Sequence, residues 1–184
     1  MHTTDSERAK YVETWKHDDY RLCSPGLRHL KSALAWMQPE KGASITDWGS
    51  GSGMATDAMV RQGFKVRMVD IAANAYRGNN GPVIEACLWE LPDDLGPTQY
   101  GFCADVMEHL PPEKVDAVFQ QIAARTERSC YFQIALFEDI WHGQRLHLSV
   151  FPAEWWQERI LAAFPSAEFQ LGHRNRHLLA VASA

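Results

Sequence analysis

Apolar positions along the chain change their spacing in a regular alternation, and that alternation predicts the elements. Over the first forty residues the pattern is helical and polar. Trp15, Tyr20 and Leu22 form one apolar face, and Leu27, Leu30 and Leu34 form another, with a break at Ser24-Pro25-Gly26. Ser24 is placed to cap a helix that has Pro25 in its first turn and ends near Gln38-Pro39. The spacing then shortens to that of a strand at Ser44–Trp48. A glycine loop follows, then a helix over Met54–Gln62 closed by Gly63, and a second strand at Lys65–Asp70. Together these predict a parallel βαβ unit. Further strands are expected at Pro82–Trp89, Tyr100–Val106, Cys130–Phe137, Glu168–Gly172 and His177–Ala182, with helices over Glu113–Arg125 and Ala153–Phe164. The order implies an α/β fold, a Rossmann-like open and mostly parallel sheet of about seven strands with helices on both faces. A ligand site is then expected at the carboxyl ends of the strands.

Composition narrows this picture without redirecting it. At 184 residues, 46% hydrophobic and 22% charged, the chain suits one globular domain: a helical cap over residues 1–40 and a core over 41–184. A net charge of −5 disfavours non-specific nucleic-acid binding, although Arg21, Arg28 and Lys31 leave room for a local basic patch. Cys23, Cys87, Cys103 and Cys130 form no CxxC pair, so neither a zinc knuckle nor a redox pair is expected, and no metal site is assigned. The start MHTTDSERAK is too polar for a signal peptide, and no apolar stretch approaches membrane-spanning length. The expected setting is a reducing cytoplasm with free, mostly buried thiols.

Asp47-Trp48-Gly49-Ser50-Gly51-Ser52-Gly53 carries the most chemistry. Alternating glycines after a strand allow a tight turn and close backbone approach to a ligand, and the next helix presents free N–H groups. A dinucleotide pattern, G-x-G-x-x-G, fails in both registers, because Met54 or Thr56 stands at the required third glycine. D-x-G-x-G-x-G instead resembles the first motif of class I S-adenosylmethionine (SAM)-dependent methyltransferases, with Asp70 ending the next strand.

The resemblance extends over most of the chain. It implies SAM as cofactor, held by Asp47, Gly49, Ser50, Gly51 and Gly53, with Asp70 on the ribose hydroxyls and Ile71 beside it. In Cys87-Leu88-Trp89-Glu90-Leu91-Pro92, Leu88 and Trp89 would sandwich the adenine, or else end a buried strand. Cys87 stands where an acid commonly receives the adenine amino group. Ala104–Pro111 resembles the segment that places Asp105 in the cofactor pocket and Glu108 and His109 beside the acceptor. A capping or packing role for His109 is the alternative.

The segments Trp15…Asp19-Tyr20-Arg21…Ser24-Pro25-Gly26 and Leu146-His147…Glu154-Trp155-Trp156 look like features of small phage and bacterial members. In that reading Tyr20 or Arg21 approaches the methionine carboxylate, and Trp141, His142, His147 and Trp155 form the acceptor side. Trp156 is expected in the core. His109 is the leading candidate for a general base, ahead of His142 and His147. The implied activity is methyl transfer to an oxygen or nitrogen of a small-molecule acceptor. A nucleotide or nucleobase acceptor stays open, as does a non-catalytic SAM-binding module. The amino-methylating Asp/Asn-Pro-Pro-Tyr/Phe motif and a Pro-Cys nucleophile for cytosine are both absent.

Overall fold

The computed structural model describes residues 2–22 and 24–184, so Cys23 lies outside the described residues. Three helices come first: α1 (Thr4–Thr14), α2 (Asp18–Arg21) and α3 (Pro25–Met37). The Ser24 hydroxyl accepts the Leu27 N–H at 3.4 Å, and Pro25 occupies the first turn of α3, as the sequence led us to expect. Then follow β1 (Ser44–Trp48), α4 (Met54–Arg61), β2 (Lys65–Asp70), β3 (Val83–Glu85), β4 (Thr98–Ala104), α5 (Pro112–Ala123) and β5 (Thr126–Ala135). A small hairpin of β6 (Ile140–Trp141) and β7 (Gln144–Arg145) precedes α6 (Ala153–Ala163), β8 (Ser166–Leu171) and β9 (His177–Ser183).

Seven strands form one sheet in the order β3-β2-β1-β4-β5-β9-β8. The first five run parallel, and β9 is antiparallel to both β5 and β8. Strand order reverses between β1 and β4, which opens a crevice at their carboxyl ends. The central strands are buried on both sides, which is why they read as continuous apolar runs. On one face α5 and α6 pack Phe119, Ile122, Trp156 and Ile160 against Phe132 and Cys103. On the other, Leu30, Ala33 and Met37 of α3 and Met59 of α4 cover Ile45, Phe102 and Tyr131.

The segment expected as a cap over 1–40 therefore divides. Helix α3 is a layer of the core, and only α1 and α2 sit over the strand ends. There Trp15, with Tyr11 and Tyr20 beside it, packs on Ala72 and Ala75. Leu22, expected on the apolar face with Trp15, is exposed instead.

The third strand is much shorter than the sequence suggested. Pairing with β2 ends at Glu85, and Leu88 and Trp89 lie in a turn. The apolar run continues past the strand because its last residues face a cavity. The β6–β7 hairpin has two residues per strand, too few for any alternation to show. Among the described residues no helix is long and apolar enough to cross a membrane.

Candidate functional site

Three carboxylates mark the crevice: Asp47 inside the end of β1, Asp70 at the end of β2, and Asp105 just after β4. Two cavities of about 640 and 670 Å³ lie here, sharing walls formed by Trp15, Tyr20, Gly49, Gly51, Asp105 and His109. The first extends past Asp70 and Ile71 to Cys87, Leu88 and Trp89, and so has an apolar end. The second extends past Asp47, Ser50 and Ser52 to Ser24-Pro25-Gly26, and is more polar.

The glycine loop is held by the sheet and by Asp70. Gly49 and Ser50 N–H donate to the Val69 carbonyl at 2.8 and 3.1 Å, and Gly51 N–H donates to Asp70 Oδ2 at 2.8 Å. The other oxygen of Asp70 accepts the Ala72 N–H at 2.9 Å. Gly49 has φ +71°, and a Cβ there would sit 2.4 Å from Val106 Cγ2. Gly49→Ala is therefore expected to destabilise the protein by about 2–3 kcal/mol, measured as a fall in the denaturation midpoint. Gly53 caps α4 at φ +75° with Tyr76 against it, and it does not line either cavity. Its part is to turn the loop into the helix.

Burial perturbs the acids unequally. Removal from water pushes Asp70 up from 3.8 to about 6, opposed by the N–H donors of Ala72 and Gly51. Asp47 is pushed up to about 7, again by burial, and is eased only by the Thr56 hydroxyl donating to Oδ2 at 2.6 Å. Burial would raise Asp105 too. The nearby His109 and His147 imidazoles outweigh it and hold that carboxyl below the ordinary range. Asp105 also adopts φ +62°, an uncommon backbone conformation for a residue other than glycine.

His109 faces both cavities. Its Nε2 lies 4.0 Å from Asp105 Oδ2, and its Nδ1 meets the Tyr11 hydroxyl at 2.8 Å. His147 lies behind it, the two ring centroids 4.7 Å apart, and is buried away from both cavities.

Several expected site residues are placed elsewhere. Glu108 is fully buried and lines neither cavity. Its Oε1 accepts the Ala135 N–H at 2.6 Å, and burial, aided by Asp105, drives its carboxyl well up. Arg21 turns away from the cleft and donates to the Ala75 and Asn74 carbonyls, the latter at 2.6 Å. His142 is exposed and stacks on His17, with ring centroids 5.3 Å apart. Trp155 stacks on Phe151 at 4.0 Å beside the core and lines neither cavity, and Trp156 is fully buried. Trp141 borders the cleft only indirectly, packing on Tyr20 at 5.3 Å.

Sequence reasoning missed Glu7 and Tyr11, which α1 inserts into the first cavity. Glu7 is buried and pairs with His2 and Lys10. Tyr11 is 98 residues from its partner His109, and no local pattern announces such a contact.

No protein-family profile matches the chain, and no curated protein matches its sequence. Solved structures do match. The Burkholderia thailandensis 1,6-didemethyltoxoflavin-N1-methyltransferase, with bound 1,6-didemethyltoxoflavin and S-adenosylhomocysteine (SAH), has a TM-score of 0.69 at 18% identity. That match covers 100% of this chain and 90% of that one. Magnesium protoporphyrin IX methyltransferase from Synechocystis PCC 6803 with bound SAM gives 0.63 at 16% identity, covering 85% and 78%. A complex described as DhpI-SAM-HEP gives 0.70 at 13%, covering 96% and 95%. The chain thus has the fold of the class I SAM-dependent methyltransferases, and its glycine loop and Asp70 stand at the carboxyl ends of the parallel strands.

Proposed function

We propose that the protein is a SAM-dependent methyltransferase acting on an oxygen or nitrogen of a small molecule. The observation that carries this reading is the junction of the two cavities. Gly49, Gly51, Asp105 and His109 wall both cavities where they meet, and Asp70 lines the first.

The residues fit SAM in kind and in order. Leu88, Trp89 and Ile71 offer apolar walls for a purine. Asp70 retains a lone pair on each oxygen for a ribose diol, since each now accepts one backbone N–H. Asp47, Ser50 and the second cavity offer polar groups for an amino-acid end. Bound there, SAM supplies a methyl group already activated on sulfur, so the chain's task is alignment and exclusion of water. Trp15 and Tyr20 wall the junction and shield it, with Trp15 about 3.0 Å from where a Cβ on Gly51 would lie. His109, which lines both cavities, is the group we assign to the acceptor's reacting atom.

A small acceptor is favoured by the enclosing α1 helix and by the net charge of −5. The fold alone does not choose, because the acceptors named for similar structures range from a porphyrin to small RNA. Buried free thiols at Cys87, Cys103 and Cys130 suit a reducing cytoplasm, the setting we infer.

The test is incubation with SAM and acceptors drawn from hydroxyl, amine and nucleobase classes, with SAH measured by mass spectrometry. Acceptor-dependent SAH is expected. SAM binding without SAH from any class would leave a binding module instead. His109→Ala is expected to lower kcat about 10²- to 10⁴-fold while SAM affinity stays within a few-fold.

A further inference from the structure

Behind the junction of the cavities, one carboxylate oxygen of Asp105 and one nitrogen from each of His109 and His147 lie within 4.8 Å of one another. We propose that these three residues form a divalent transition-metal site whose open positions face the acceptor.

Three features support a built site. The ligand set is two imidazoles and one carboxylate, which suits zinc, iron or manganese better than the oxygen-preferring magnesium or calcium. Each imidazole has its second nitrogen anchored, the usual device for aiming a ligating histidine. His147 Nδ1 lies 2.6 Å from the Phe137 carbonyl, which can only accept, so Nδ1 carries the proton and Nε2 keeps the lone pair. His109 Nδ1 meets the Tyr11 hydroxyl, and when that hydroxyl accepts, the Nε2 lone pair is turned toward Asp105. Finally, Asp105 has an uncommon left-handed conformation, and its Oδ2 lies 4.0 Å from His109 Nε2.

Metal–ligand bonds of about 2.0–2.2 Å put tetrahedral ligands roughly 3.3 Å apart, so binding requires the side chains to close in by up to about 1.5 Å. Asp105 and His109 line the cleft while His147 stands behind them, which leaves the free coordination positions on the cleft side.

The role rests on the proposed methyl transfer; the binding does not. A hydroxyl acceptor coordinated there would lose its proton to water, the ion stabilising the resulting oxyanion. The oxygen would then form its bond to the methyl carbon as the carbon–sulfur bond breaks, with the electron pair going to sulfur. The products are the methyl ether, SAH and one proton. His109 then acts as a ligand, and the ion replaces an imidazole base.

The experiment uses untagged full-length protein stripped with a chelator and titrated with Co(II), following d–d absorption and the metal content of the dialysed protein. One ion per chain is expected, displaced by Zn(II) and not by excess Mg(II). Asp105→Asn and His147→Gln should each weaken binding at least about 100-fold. Near-ultraviolet circular dichroism shows that the variants fold, and Asp105→Asn decides the matter if His147→Gln does not. No stoichiometric Co(II) binding, or binding unchanged in a folded variant, overturns the site. SAM titration of the same samples separates this failure from failure of the methyltransferase reading.

Discussion

Replacing Asp70 by asparagine is expected to weaken SAM binding about 100-fold while leaving the protein folded. Each carboxylate oxygen already accepts one backbone N–H, from Gly51 and from Ala72, so the side chain fixes the loop as well as facing the cleft. An amide can serve only one of those donors. The other N–H is left opposite an NH2 group, at a cost of about 1–3 kcal/mol to stability. Toward the cofactor, two charge-assisted bonds to a ribose diol become at best one neutral bond. A loss of about 3 kcal/mol corresponds to the 100-fold change. Because burial pushes this carboxyl up to about 6, wild-type affinity should also fall as pH drops below that value, by up to tenfold per unit. The asparagine variant should lack this dependence. Calorimetric titration of both proteins across pH 5–8 measures both effects.

Asp47→Asn is expected to act in opposite directions on stability and on binding. Burial, the dominant influence, raises Asp47 from 3.8 to about 7. The folded protein therefore binds more protons than the unfolded chain between about pH 4 and 7. Stability contributed through this group falls as pH rises across that window and levels off above it. About three pKa units correspond to roughly 4 kcal/mol as an upper limit. An asparagine carries no charge, and its amide oxygen still accepts the Thr56 hydroxyl. The variant should therefore unfold at higher denaturant concentration than wild type at pH 8 and show no such gain near pH 4. SAM affinity should nonetheless fall at least about tenfold, since the cofactor's amino group loses its counter-charge. Equal stability profiles for the two proteins would show that the buried carboxylate carries no such penalty.

How far the molecule was legible depended on whether a feature was local. The β1–loop–α4–β2 unit could be read because strand period, glycine spacing, helix period and the terminal Asp70 follow one another within about thirty residues. The buried strands β4 and β5 announced themselves as apolar runs, with ends misjudged by only a few residues. The run ending at Trp89 misled for the same reason. A pocket wall and a strand interior both select large apolar residues, and spacing does not distinguish them.

Glu108 shows the converse limit. Its neighbours Asp105 and His109 face the cleft, but the short 3-10 turn over Met107–His109 rotates the intervening glutamate into the interior. The links between Tyr11 and His109, and between His109 and His147, join the first helix, the loop after β4 and the segment after β7. Only the folded chain brings them together. Arg21 and His142 were expected at the site from their residue type and position in the resemblance. The backbone directs one to the Asn74 and Ala75 carbonyls and the other to the surface.

The central claim is that the crevice between β1 and β4 binds SAM, and calorimetric titration of the purified protein at pH 8 tests it most directly. The account predicts saturable binding of one SAM per chain, absent with NAD and lost or strongly weakened in Asp70→Asn. A folded wild-type protein that gives no binding heat with SAM at any temperature, or an Asp70→Asn variant that binds as tightly as wild type, would contradict it.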